Sequence, residues 1–153
     1  MTRKFVLTLA AIVGLSACAT YDAASDTRGW FFHTDGAEAK LAYGTPQSDD
    51  APLMLMCTGR SGQVTLSQTA VRPGDGVTLA SSGRRSTFYG ETEADQLNGG
   101  LIVSAVAPVD APVLSAFRRS GDLAIEENGR RARLLATPVE RAQIQQFFQT
   151  CSA

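Results

Sequence analysis

Hydrophobic positions along the chain follow three regimes. Residues 5–15 are apolar except for Thr8 and Gly14, and Arg3 and Lys4 precede them. From Gly29 to Val106, short apolar runs alternate with polar residues and are broken by Gly, Pro, Asn and Asp. Beyond Asp110, three- and four-residue spacings join the alternation. In the middle regime, Gln63-Val64-Thr65-Leu66-Ser67-Gln68-Thr69 has the two-residue period of a half-buried strand, with Val64 and Leu66 facing in. Ala37 to Tyr43 puts Glu38 and Lys40 on one face, Leu41 and Tyr43 on the other. Leu53-Met54-Leu55-Met56-Cys57 is almost wholly apolar, which predicts a central strand buried on both faces. Leu101 to Val106 is a further strand. Asp35-Gly36 and Ser81-Ser82-Gly83 are hairpin turn signals, since tight two-residue turns need positive φ. Glu91, Glu93 and Asp95 read as a solvated polar loop. Short strands with turn signals about every 8–12 residues predict an antiparallel sandwich or an open barrel.

The last third adds helices. Asp110 to Gly121 offers an N-cap at Asp110, an early Pro112, a terminal Gly121, and Arg118-Arg119 where the helix dipole favours cations. Leu123–Glu127 and Arg130–Leu135 flank Asn128-Gly129, the strongest hairpin signal in the chain. That turn sets Glu127 opposite Arg130 and Glu126 opposite Arg131. Thr137-Pro138-Val139-Glu140 is a capping box with Pro at the first helical position. The helix it starts carries Ile144, Phe147, Phe148 and Cys151 on one stripe. The expected fold class is α+β, mainly β, with two helices in the C-terminal third.

The N-terminal apolar run is too short for a membrane span, which needs about 20 residues. It suits the about 7–15 residues of a signal-peptide core. It ends in Leu15-Ser16-Ala17-Cys18. This basic start, apolar core, small residues and single Cys resemble a bacterial lipoprotein signal peptide with its lipobox. The resemblance implies cleavage before Cys18, diacylglycerol on its thiol, and an acyl chain such as palmitate on its amine. Stable anchoring takes about two lipid signals, and three chains exceed that. Ordinary secretory cleavage near Ala17-Cys18-Ala19 is the alternative. By the rule of enteric-type lipoproteins, Ala19 in place of Asp implies the outer membrane, facing the periplasm. Residues 1–17 are then the signal peptide, 18–28 a lipid-anchored tether, and 29–153 a single β-rich domain. The chain's partner at that end is the membrane, through acylated Cys18.

With Cys18 assigned to lipid, Cys57 and Cys151 remain. An even pair in an oxidising compartment predicts a disulfide. Both residues also face a core, Cys57 with Leu53 and Leu55, Cys151 with the helix stripe. Closing a loop of roughly 90 residues is worth about 4–5 kcal/mol in the chain-entropy model. Neither Cys has a Cys-x-x-Cys spacing or a neighbouring His or Lys, which favours structure over redox chemistry.

Removing residues 1–17 takes two of the 14 basic residues and none of the 15 acidic ones, for a formal charge of −3. That charge gives no basic footprint for nucleic acid. Candidate chemistry is sparse. The one histidine, His33, sits beside Trp30, Phe31 and Phe32 and reads as a partly buried or surface residue of an aromatic strand. Ser61 lacks the Gly-x-Ser-x-Gly elbow. Gly74-Asp75-Gly76 and Asn98-Gly99-Gly100 lack the Lys of a phosphate loop. Arg84, Arg85, Arg130, Arg131 and Arg133 form either an anion-binding face or, preferably, cross-strand pairs with Glu126 and Glu127. No catalytic residues, cofactor or metal site are expected.

The closing layout of hairpin, short helix and terminal Cys resembles small exported bacterial proteins of the invasion-associated locus B type, which also carry a Cys on an earlier strand. The expected role is a non-catalytic binding or structural module of the cell envelope, with an envelope protein or wall component as partner. The second expectation is an inhibitor of a hydrolase such as a lysozyme or protease, presenting the loop Arg72-Pro73-Gly74-Asp75-Gly76.

Overall fold

A computed structural model describes residues 28–96 and 99–152. The expected signal peptide, Cys18 and the expected tether up to residue 27 lie outside the described residues. Among the described residues, nine strands and two helices follow in the order β1 (Gly29–Asp35), β2 (Glu38–Gly44), β3 (Leu53–Thr58), β4 (Gln63–Ala70), β5 (Gly76–Ser81), β6 (Arg84–Ala94), β7 (Leu101–Pro108), α1 (Pro112–Ser120), β8 (Asp122–Glu127), β9 (Arg130–Leu135) and α2 (Pro138–Cys151). The strands form one antiparallel sheet in the order β1-β2-β3-β4-β7-β6-β5-β8-β9. The sheet is nearly closed into a barrel. Of the two expected architectures, the open barrel is the one adopted.

The alternation along the strands decides which side chains enter the barrel. Leu41, Leu55 and Leu66 stand opposite one another on β2, β3 and β4 and are fully buried. Leu79 and Leu123 continue this core on β5 and β8. β3 is central, but it is not buried on both faces. Leu53, Leu55 and Cys57 point in, while Met54 and Met56 are half-buried on the outside. An antiparallel barrel has one solvated face, so unbroken hydrophobicity here reflects Met lying along the outer surface.

β6 is longer than its sequence suggests. Residues 84–89 pair with β5, and residues 90–94 pair with β7. The hinge between the two pairings is Gly90. A Cβ there would collide with the Ser104 carbonyl oxygen, so only glycine permits β6 and β7 to approach this closely. Glu91 and Glu93 therefore stand on a strand, not in a loop. Their polarity marks the exposed face of that strand.

Turns follow the expected chemistry with small shifts. The first hairpin closes on Asp35 and Glu38, so Gly36-Ala37 make the turn. Asn128 and Gly129 both take positive φ, 50° and 75°, the type I′ geometry that matches strand twist. α1 is capped by Ala111, without a side-chain hydrogen bond, and not by Asp110. The Asp110 carbonyl instead accepts from the Ser115 hydroxyl. α2 has its capping box, with Thr137 Oγ1 accepting from Glu140 N and Glu140 Oε2 from Thr137 N.

α2 lies against β1 and β2, α1 against β5 and β6, and the helices touch each other. Aromatic rings connect these layers. Phe117 packs on Trp30 at 4.8 Å and on Phe148 at 6.0 Å, and Phe147 meets Phe148 at 5.3 Å and Phe32 at 6.3 Å. Ile144, Phe147, Phe148 and Cys151 are all buried, as the helical stripe requires. Gln143 Oε1 accepts from the Phe32 N–H, so α2 also serves a donor on edge strand β1.

Candidate functional site

Cys57 and Cys151 form a disulfide with Cα atoms 5.8 Å apart. It ties the end of β3 to the last turn of α2. The β3–β4 turn adds to this anchorage. Arg60 N donates to the Thr150 carbonyl and Gly62 N to the Cys151 carbonyl. A helix leaves its last carbonyls without internal partners, and this turn satisfies two of them.

The other sequence candidates are dispersed. His33 is exposed on β1, opposite Lys40. Glu91 and Glu93 line a shallow outer depression with Thr65, Tyr89, Ser104 and Val106. Tyr89 and Val106 are exposed there. Among the described residues, no three of His, Cys, Asp and Glu gather as a metal-ligand set.

The arginines are mostly paired, though not all as the hairpin predicts. Glu126 lies 2.7 Å from Arg85 and 3.9 Å from Arg131. Arg133 lies 2.9 Å from Asp122. Glu127 does not pair with Arg130. Its Oε1 accepts instead from the Val71 N–H at 3.1 Å. The hairpin register is as expected, but β8 ends beside the β4–β5 loop, whose Val71 amide takes the carboxylate.

That loop, residues 71–75, is exposed and pinned. Gly74 donates to Thr92 Oγ1 and its carbonyl accepts from the same hydroxyl. Gly90 N donates to the Asp75 carbonyl. Together with Glu127, these contacts hold an exposed segment from several sides. Val71 remains 86% exposed at its start.

Beneath the loop lies a cavity of about 180 Å³, lined by Gln68, Val103, Arg72, Glu126, Glu127 and Asn128 among others. Gln68 is only 4% exposed, and its Oε1 has no hydrogen-bond partner. The alternation of β4 carries the signal for this residue. Gln68 continues the inward set of Val64 and Leu66, so a polar amide is delivered to an apolar face.

No protein-family model, curated protein or solved structure matches this chain. Its function is therefore read from its own residues.

Proposed function

We propose that this chain is a lipid-anchored protein of the bacterial cell envelope whose folded domain is a non-catalytic binding or structural module. The observation that carries this reading is Cys18, placed directly after an 11-residue apolar run and the small residues Ser16 and Ala17. In this reading residues 1–17 are removed, Cys18 carries the acyl chains, and the domain faces the periplasm from the outer membrane. The Cys57–Cys151 disulfide supports an exported location, because such bonds persist in oxidising compartments. The paired arginines support neutral docking over capture of nucleic acid. The partner is an envelope protein or a wall component.

One observation favours a second reading, an inhibitor of a hydrolase. Inhibitory loops are exposed yet held in shape, and residues 71–75 have both properties. Affinity capture from detergent-solubilised membranes separates the two. Recovery of a lysozyme or protease, lost on replacing Arg72 and Pro73 by Ala, establishes the inhibitor. Recovery of an envelope assembly component or wall fragment, retained in that variant, establishes the first reading.

A further inference from the structure

We infer that the outer pocket at the tip of the β8–β9 hairpin binds a phosphomonoester group, a tetrahedral dianion. The pocket is open, holds about 350 Å³, and is lined by Thr78, Arg85, Glu126, Asn128, Arg130 and Arg131 among others. Strands β5, β6, β8 and β9 each supply part of it. One carboxylate organises two of the arginines. Arg85 Nε lies 2.7 Å from Glu126 Oε2, and Arg131 Nε lies 3.9 Å from Glu126 Oε1. Both approaches use the inner nitrogen, so the terminal amino groups of the two guanidiniums remain for another acceptor. The Arg85 and Arg131 side chains are 63% and 56% exposed, which leaves the way in open.

The charge balance selects the ligand. A carboxylate for each arginine would leave the hairpin tip neutral, but the fold does not provide it. Glu127, opposite Arg130, is bonded to the Val71 amide, and among the described residues Arg130 has no ion pair. Three guanidiniums, of Arg85, Arg130 and Arg131, therefore belong to a pocket whose lining has one carboxylate, Glu126, an excess of two positive charges. Arg133, next outward on β9, is balanced by Asp122. The excess is thus confined to this pocket and does not extend into the basic stripe that a nucleic-acid backbone needs. An exposed ion pair adds little stability, and two arginines on one carboxylate repel each other, so stability gives no reason for the cluster. A phosphomonoester carries about −1.5 to −2 charge near neutral pH and offers three acceptor oxygens to guanidinium forks. A carboxylate would leave one of the two charges unmatched.

This inference rests on the binding role proposed above and names its ligand chemistry. The exported chain, ¹⁵N-labelled in neutral detergent micelles, is titrated with glycerol 1-phosphate, and with acetate in parallel. Saturable shifts of the Asn128, Gly129, Arg130 and Arg131 amides and of the Arg85 Nε–H are expected with the phosphate, and about ten-fold weaker binding with acetate. Arg130→Gln and Arg131→Gln, both on exposed residues, should each weaken phosphate binding about ten-fold, the scale of one charged hydrogen bond. Arg119→Gln, exposed on α1 before the start of β8, should leave the affinity unchanged. Dihexanoyl phosphatidic acid carries the same group on a lipid and identifies its source. Tighter binding than glycerol 1-phosphate assigns a lipid headgroup, and equal or weaker binding assigns a free phosphate ester. No saturable shift at these groups, equal affinity for acetate, wild-type affinity in Arg130→Gln and Arg131→Gln, or an equal loss in Arg119→Gln overturns the site. A site lost in this way leaves membrane attachment untouched, so failure here is distinct from failure of the anchored-module reading.

Discussion

The indole N–H of Trp30 donates to the carbonyl of Leu134 at 3.3 Å, across 104 residues of sequence. Trp30 is on β1 and Leu134 on β9, the two ends of the strand order. This bond sits where the sheet comes closest to closing on itself. Trp30→Phe keeps most of the ring packing against Phe117 and Tyr43 but deletes the donor. The variant should lose about 0.5–1.5 kcal/mol in denaturant unfolding, the net worth of one hydrogen bond, since Leu134 keeps its ladder pairing with Leu123 on β8. An unchanged midpoint would show that the two ends of the sheet do not depend on this bond.

The docking of α2 makes a sharper contrast. Phe147 and Phe148 are buried against Phe32 and Phe117, while Gln145 is exposed on the same helix. Phe147→Ala or Phe148→Ala should cost about 3–5 kcal/mol, a large share of the stability of a domain this size. Gln145→Ala should stay within about 0.5 kcal/mol. Thermal unfolding of the three variants checks the difference.

Gly90 should tolerate no side chain. Gly90→Ala places a methyl group into the Ser104 backbone at the point where β6 passes from β5 to β7. The expected loss is about 1–3 kcal/mol or more, because both strands must move. Gly83→Ala is the comparison. It has open space around it, and its cost comes from a positive φ of 76°. Amide hydrogen exchange should show loosening on both sides of Gly90 in the first variant, and only at the Ser82-Gly83 turn in the second.

Local features of this fold were legible in the sequence. The two-residue period of β2 and β4 names their inward residues, Asn128-Gly129 names its hairpin, and Thr137 with Glu140 names the start of α2. Non-local features were not. β7 lies between β4 and β6, a placement that depends on chain closure rather than on any local pattern. Glu91 and Glu93 look like loop residues because their strand is polar where it faces water. The partner of Glu127 is the Val71 amide, and no spacing rule links residues 56 apart. Gln68 shares the inward parity of Val64 and Leu66, a place its polarity argues against, and its buried, unpaired oxygen emerges only from the folded strand.

Cys57→Ala removes the tie between β3 and α2. It should lower stability by about 2–5 kcal/mol, and intact mass of the exported protein should show two hydrogens fewer in the oxidised wild type than after reduction. Because backbone bonds from Arg60 and Gly62 also hold the end of α2, the variant should remain folded at low temperature. Free thiols on both cysteines after export would contradict the disulfide.

Anchoring through Cys18 is the central claim, and one measurement tests it directly. Wild type and Cys18→Ala are expressed in a bacterial host, membranes are separated from soluble fractions, and the intact mass of each product is recorded. Wild type should be found in the membrane fraction, cut before Cys18, with the added mass of a diacylglycerol and a fatty acid. Cys18→Ala should accumulate as uncut precursor or appear as soluble protein without added lipid. Equal membrane retention and equal mass relative to sequence in the two proteins would contradict the account.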